Sequence, residues 1–184
     1  MPEAKIIGDY AFYGCNIQNI VLPDTITKIG NRAFEGNMIT DINLTENLTS
    51  IGDYAFYGCL TLNLTSLPDS IIDIGERAFG LSGITVSSLP KSITKVGKGW
   101  FTFCTKITNF TFHDKIEEIN DYPFMFCSNL ATVTFEGKPR KINFNAFMTC
   151  NNLTTINVPW SEGEVFGAPW GATNATINYN YTGE

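Results

Sequence analysis

The sequence predicts an α/β solenoid with a parallel sheet along one face, short helical or 3-10 turns along the other, and seven coils of 22–23 residues. Three observations predict it: a phrase that recurs at a fixed period, an alternating apolar segment ahead of it, and a proline between the two. The phrase reads Ile7-Gly8-Asp9-Tyr10-Ala11-Phe12, Ile29-Gly30-Asn31-Arg32-Ala33-Phe34 and Ile51-Gly52-Asp53-Tyr54-Ala55-Phe56. It continues from Ile74-Gly75 to Phe79 and returns in looser form from Val96, Ile119 and Ile142. Successive starts lie 22, 22, 23, 22, 23 and 23 residues apart. A unit this small cannot bury an apolar face alone, so the copies must stack.

Each element follows from its own pattern. Ile20-x-Leu22, Ile42-x-Leu44, Phe110-x-Phe112, Val133-x-Phe135 and Ile156-x-Val158 alternate with period two and read as short strands with one apolar side facing the stack. Pro23, Pro68 and Pro90 lack an N–H for a ladder and end their strands where the chain must turn. After the glycine, an inward Ala-Phe pair flanked by polar or Tyr residues suits a helical or 3-10 turn. Thr65 and Ser87 stand at the strand position that is Ile elsewhere, and Trp100 and Pro123 stand where Ala is expected. The middle of the stack is therefore expected to be its least regular part.

Of the 184 residues, 43% are apolar and 16% charged, the range of a globular domain with a substantial core. A net charge of −6 and twelve scattered basic residues exclude nucleic acid as a partner, because phosphate backbones are held by clustered Lys and Arg. No apolar run reaches the roughly 18 residues that span a bilayer, so no membrane insertion is expected. Met1-Pro2-Glu3-Ala4-Lys5 does not resemble a signal peptide. Pro2 lies five residues before Ile7, whereas Pro23, Pro68 and Pro90 lie six before the next Ile-Gly or Val-Gly. The first coil is read as incomplete, either trimmed from a larger protein or beginning naturally in mid-coil.

Cys15, Cys59, Cys104, Cys127 and Cys150 occupy one repeated slot, eight residues after the first Ile or Val, with Asn37 and Ser82 in the remaining two coils. They read as buried thiols packed between coils, with bridges between Cys104, Cys127 and Cys150 geometrically conceivable. Metal ligation is disfavoured because ligand spacings are absent and His113 is the only histidine. His113 follows Phe112 at the proline position and is expected in an exposed turn. No catalytic, cofactor-binding or metal-binding residue is assigned.

The phrase Leu-Pro-x-x-Ile-x-x-Ile-Gly-x-x-Ala-Phe-x-x-Cys resembles the BspA-like bacterial leucine-rich repeat family over roughly residues 6 to 160. The resemblance implies a right-handed, curved leucine-rich repeat solenoid of bacterial surface or secreted proteins, serving binding or adhesion. It also implies an extracellular or cell-surface location.

With the Ile, Ala, Phe and Cys positions spent on packing, a partner must meet what remains exposed. The outward strand residues Asn19, Asp41, Asn43, Asn109, Thr111, Thr132, Thr134, Thr155 and Asn157 form a small, polar, nearly uncharged face. The turns offer Tyr10, Tyr13, Tyr54, Tyr57 and Tyr122, the better anchors for a protein or glycan partner. The expected function is noncatalytic binding, with a structural spacer or assembly component as the alternative and an enzyme a distant third. A monomer is the working expectation. Residues 1–159 are assigned to the solenoid. Residues 160–184, with Trp160, Phe166, Trp170 and the alternating Ile177-x-Tyr179-x-Tyr181, are assigned to a C-terminal cap ending in a strand.

Overall fold

The computed structural model describes residues 4–183. The offset at Pro2 lies outside the described residues. The chain forms a parallel-stranded β-solenoid of about eight turns. Seven short strands carry the repeated Ile or Val: β1 (Ile6–Ile7), β3 (Lys28–Ile29), β5 (Ser50–Ile51), β6 (Asp73–Ile74), β7 (Lys95–Val96), β9 (Glu118–Ile119) and β11 (Lys141–Ile142). Between them run β2 (Asn19–Ile20), β4 (Asp41–Ile42), β8 (Asn109–Phe112), β10 (Thr132–Phe135) and β12 (Thr155–Asn157), and β13 (Thr176–Asn178) ends the series. Most turns of the stack thus contribute to two ladders instead of the single sheet predicted. The first ladder splits into β1-β3-β5-β6 and β7-β9-β11, the second into β2-β4 and β8-β10-β12-β13.

The predicted helical face is absent: no helix occurs among the described residues. The reason lies in where the backbone donors go. The N–H groups of Ala11, Tyr13 and Cys15 donate back to the carbonyls of Gly8, Tyr10 and Phe12, which is turn bonding. The intervening N–H groups of Tyr10, Phe12 and Gly14 instead donate to Asn31, Ala33 and Glu35 of the next coil, at 2.8, 2.8 and 2.9 Å. A helix would claim every one of these donors internally. Alternation requires a left-handed residue at intervals, and Tyr10, Arg32, Tyr54, Arg77 and Tyr122 all have φ between 50 and 57°.

Inside this frame the repeated phenylalanines form a continuous spine. Phe12, Phe34, Phe56 and Phe79 stack with centroids 5.3, 5.3 and 5.5 Å apart and planes within 9°. Phe101, Phe124 and Phe147 continue it with greater tilt. All but Phe12, at the first coil, are fully buried.

The strand ladder breaks where Thr65 and Ser87 lie, and the cause differs from the expected substitution of Ile by a polar residue. Leu64 and Val86 take the inward position one residue earlier. Two outward residues, Thr65-Ser66 and Ser87-Ser88, then precede Leu67-Pro68 and Leu89-Pro90 where other coils have one. This one-residue excess is a bulge, and it leaves only an isolated Ser88–Thr111 bridge.

The count of seven coils is also corrected, because residues beyond Pro159 wrap a further turn onto the stack. The Phe147 N–H donates to Trp170 O, and β13 pairs in register with β12. Trp170 is fully buried against Phe135 and Trp160. We propose that this segment caps the apolar end: deleting residues 160–184 is expected to give a soluble aggregate by size-exclusion chromatography, and a monomer of unchanged Tm would refute it.

Candidate partner-binding surfaces

The alternating turn backbone positions the tyrosines. Tyr10 and Tyr13 rings lie 5.9 Å apart, and Tyr54 and Tyr57 repeat the pair at 5.5 Å. Between them Arg32 places its guanidinium 4.4 Å over the Tyr54 ring while two of its hydrogen bonds hold Glu35, at 2.8 and 3.1 Å. Arg77 donates to the Tyr54 hydroxyl at 3.2 Å from the other side. Four of the five predicted tyrosines thus belong to one aromatic and guanidinium patch. Tyr122 stands apart, two coils beyond Arg77, with its hydroxyl accepting from Asn145 at 3.2 Å.

A second left-handed column in the same turns holds residues that the sequence reading missed. Gly14, Gly36 and Gly58 fill it in the first three coils, with φ between 61 and 73°. Leu81, Phe103, Phe126 and Thr149 follow, at φ 53 to 62°. A bulky L-residue in this region costs roughly 1–2 kcal/mol, and glycine would remove that cost. Leu81, Phe103 and Phe126 are nonetheless more than a third exposed, with the two phenyl rings stacked 4.5 Å apart. The available signal was the switch from Gly-Cys to Phe-Cys in the residue before the repeated slot.

On the strand face the bulge separates Asn19, Asp41 and Asn43 from the remaining candidates. Asn43 is engaged by the fold, bonding both the N–H and the carbonyl of Leu22 at 2.7 and 2.9 Å, as a ladder residue would. Asn109 is exposed, and Thr111, Thr132, Thr134 and Thr155 are half-buried. Asn157 is buried, donating to Thr134 and accepting from Asn178. Over the bulge lies an open groove of about 510 Å³, lined by Asn43, Glu46, Ser66, Asp69 and Ser88 above Leu64, Leu67 and Leu89.

The repeated slot is a hydrogen-bond ladder. The thiols of Cys59, Cys104, Cys127 and Cys150 donate to the carbonyls of Phe34, Phe79, Phe101 and Phe124 in the preceding coil, at 3.0 to 3.2 Å. Asn37 does the same work, bonding Phe12 O at 2.7 Å and accepting from the Ile17 N–H at 2.8 Å. All five cysteines are free thiols, and Cys15 departs from the predicted burial by being exposed. It lies in the first coil, where no described coil precedes it. Burial pushes Cys59 and Cys104 up to about 11 and Cys150 up to about 12, which keeps them protonated as donors.

His113 is likewise corrected: it is buried, not exposed. Its Nε2 lies 3.0 Å from Pro90 O, and its Nδ1 accepts from the Lys115 N–H at 3.2 Å. With both ring nitrogens spent on backbone, the imidazole is a strut in the proline slot. No group of three or more His, Cys, Asp or Glu side chains able to hold a metal ion occurs among the described residues. No helix among them is long and apolar enough to cross a membrane.

These features define a β-solenoid repeat protein whose conserved-looking phrase is scaffold and whose variable turn positions are surface. The chain belongs to the BspA type leucine rich repeat family, which matches residues 5–101 and 73–166 in six copies. No curated protein is a significant sequence match. Among solved structures, a leucine rich repeat protein of T. pallidum is similar at 27% identity and a TM-score of 0.71, over 80% of this chain and 71% of that one. A leucine rich cell surface protein of Faecalibacterium prausnitzii aligns at 18% identity and a TM-score of 0.57, over 84% of this chain and 63% of its own. The pneumococcal vaccine antigen PcpA aligns at 18% and 0.54, over 96% of this chain and 39% of its own. The last two share the fold.

Two outcomes follow from the thiol ladder. In native protein a thiol-reactive dye should label a single cysteine, Cys15, rapidly, and label five after denaturation; fast labelling of more than one would contradict the buried ladder. The folded thiols titrate above their ordinary value of 9.0, so the native state keeps protons that the unfolded chain releases. Thiol-linked stability is therefore full below pH 9 and falls as pH rises toward 11. Thermal melts across that window should show a steeper loss than in a variant with Cys59, Cys104, Cys127 and Cys150 changed to Ser, the residue already present at Ser82.

Proposed function

We propose that this chain is a noncatalytic binding module whose turn face contacts a protein or glycan partner, within a bacterial surface or secreted protein. The observation that carries this reading is the apolar column of Leu81, Phe103 and Phe126, held exposed in a left-handed backbone that glycine occupies in the first three coils. Packing between coils does not require those side chains, since Gly14, Gly36 and Gly58 serve the same backbone without them. Aromatic side chains with few torsions dominate binding energy where they are desolvated by a partner. The tyrosine and arginine patch around Tyr54 lies on the same turns and supplies directional contacts. The fold shared with a cell surface protein and a vaccine antigen supports a surface location.

The test is a protein and glycan array probed with the purified chain and two variants. Phe103→Gly with Phe126→Gly should retain the fold by circular dichroism, because glycine suits the φ of both positions. It should lower affinity about thirtyfold or more, the loss of a hot-spot pair. Tyr13→Ala with Tyr57→Ala should weaken binding less. Undiminished binding by both variants would overturn the turn-face assignment, and self-assembly of the chain without array binding would favour the structural role.

A further inference from the structure

The first ladder has one missing step. Gly30, Gly52 and Gly75 each donate an N–H to the preceding Ile7, Ile29 and Ile51 carbonyl, and Asn120 and Asn143 donate likewise to Val96 and Ile119. Gly97 makes no such bond to Ile74 among the described residues, and β6 and β7 belong to different sheets. The companion bond is also missing. Ile72 donates to Thr49, and Glu117 donates to Thr94, but Thr94 does not donate to Ile72.

Two substitutions in the repeat coincide with this seam. Through the first coils a carboxylate or amide oxygen bonds the next coil: Asp9 to the Asn31 N–H, Asn31 to Asp53 and Asp53 to Glu76, at 2.7 to 2.9 Å. Glu76 and then Lys98 end that series. Trp100 also fills the slot that Ala33, Ala55 and Ala78 fill elsewhere, and its indole nitrogen lies directly against Gly97. Trp100 is 3% exposed, and its Nε1–H is the one buried side-chain nitrogen or oxygen without a hydrogen-bond partner among the described residues. Leaving a buried donor unpaired costs about 1–3 kcal/mol. Trp170, fully buried, has its N–H bonded to Phe166 O.

The seam opens into a pocket of about 320 Å³ lined by Ile72, Asp73, Thr94, Lys95, Gly97 and Trp100. Of the groups lining it, the Gly97 N–H can donate, with the Trp100 indole N–H buried against Gly97. The Asp73 carboxylate, which also accepts from the Ser50 hydroxyl at 3.4 Å, and the unclaimed Ile72 and Ile74 carbonyls can accept, and the exposed Ile72 supplies an apolar wall. Lys95 is drawn to Glu118 on the next coil, so its charge is already answered. With Lys95 paired and Asp73 without a cationic partner, a ligand here must give and accept hydrogen bonds at close spacing, carry no negative charge and present one apolar face. We propose that the pocket binds a single neutral pyranose ring, whose hydroxyls both donate and accept and whose C–H face suits Ile72. This rests on the binding-module reading and names the glycan arm of it.

The test follows the indole N–H resonances of the intact 15N-labelled chain during titration with millimolar glucose, galactose, mannose and N-acetylglucosamine. The Trp100 resonance, assigned through its contacts with Gly97, should move saturably with at least one sugar while that of Trp170 stays fixed. Asp73→Asn, at an exposed position that leaves the fold intact by Tm, should weaken that response about tenfold, as expected for loss of a charge-assisted hydrogen bond. If the same sugar as the terminal unit of an oligosaccharide moves the resonance more, the source is a glycan; if the free sugar suffices, it is a monosaccharide. A fixed Trp100 resonance with all four sugars, or an equal response in Asp73→Asn, overturns the pocket. Array binding that leaves Trp100 unmoved overturns the pocket alone and leaves the binding module standing.

Discussion

Backbone N–H groups in the turns have two claimants, and their division between them governs this solenoid. Every second donor closes a turn within its own coil, and the others bond the coil that follows. Because a buried backbone donor must be satisfied, that division fixes the vertical distance between coils. The phenylalanine spine, the thiol ladder and the asparagine at position 37 are all placed by the same spacing. It also demands left-handed residues at regular intervals, which dictates that some side chains project from the turn face whatever their chemistry.

Much of the architecture was legible because the period was. The Ile, Ala, Phe and Cys positions recur at fixed offsets in every coil, and a buried column favours one residue type, broken only where Trp100 and Pro123 take the Ala slot and Asn37 and Ser82 the Cys slot. The turn conformation was not legible, since Tyr10, Arg32 and Tyr54 give no hint of positive φ, a region usually associated with glycine or asparagine. The first ladder was hidden for a related reason: two-residue strands such as Lys28–Ile29 are too short to show alternation. The bulge at Thr65-Ser66 and Ser87-Ser88 was visible only as a phase error, and alignment by spacing placed it on the wrong residue.

The candidate surfaces divide the same way. Tyr10, Tyr13, Tyr54 and Tyr57 were found because aromatic residues at non-repeating positions stand out, and the fold brings them to one patch with Arg32. Asn43 and Asn157 looked equally available in the sequence, yet their side chains complete the ladder and bond neighbouring strands. Polar residues on a parallel stack face copies of themselves, and amides in that position bond each other before they bond a partner. Phe103 and Phe126 escaped notice because phenylalanine in this chain is ordinarily core, and only the backbone angle distinguishes the exposed column from the buried one.

The seam at Trp100 has a consequence for cooperativity. In a stack of repeats each level is stabilised by its neighbours, so folding behaves as a one-dimensional chain of couplings. Across the seam β6 and β7 share no ladder, while the turns still bond, Arg77 to Lys98 and Phe79 to Trp100. The seam is also crossed by the Thr111 N–H donating to Ser87 O, but it lacks every bond of the first ladder, so the two halves are expected to act as separate foldons. Amide exchange would then proceed from the seam outward, and each half would open with its own free energy before the whole chain unfolds.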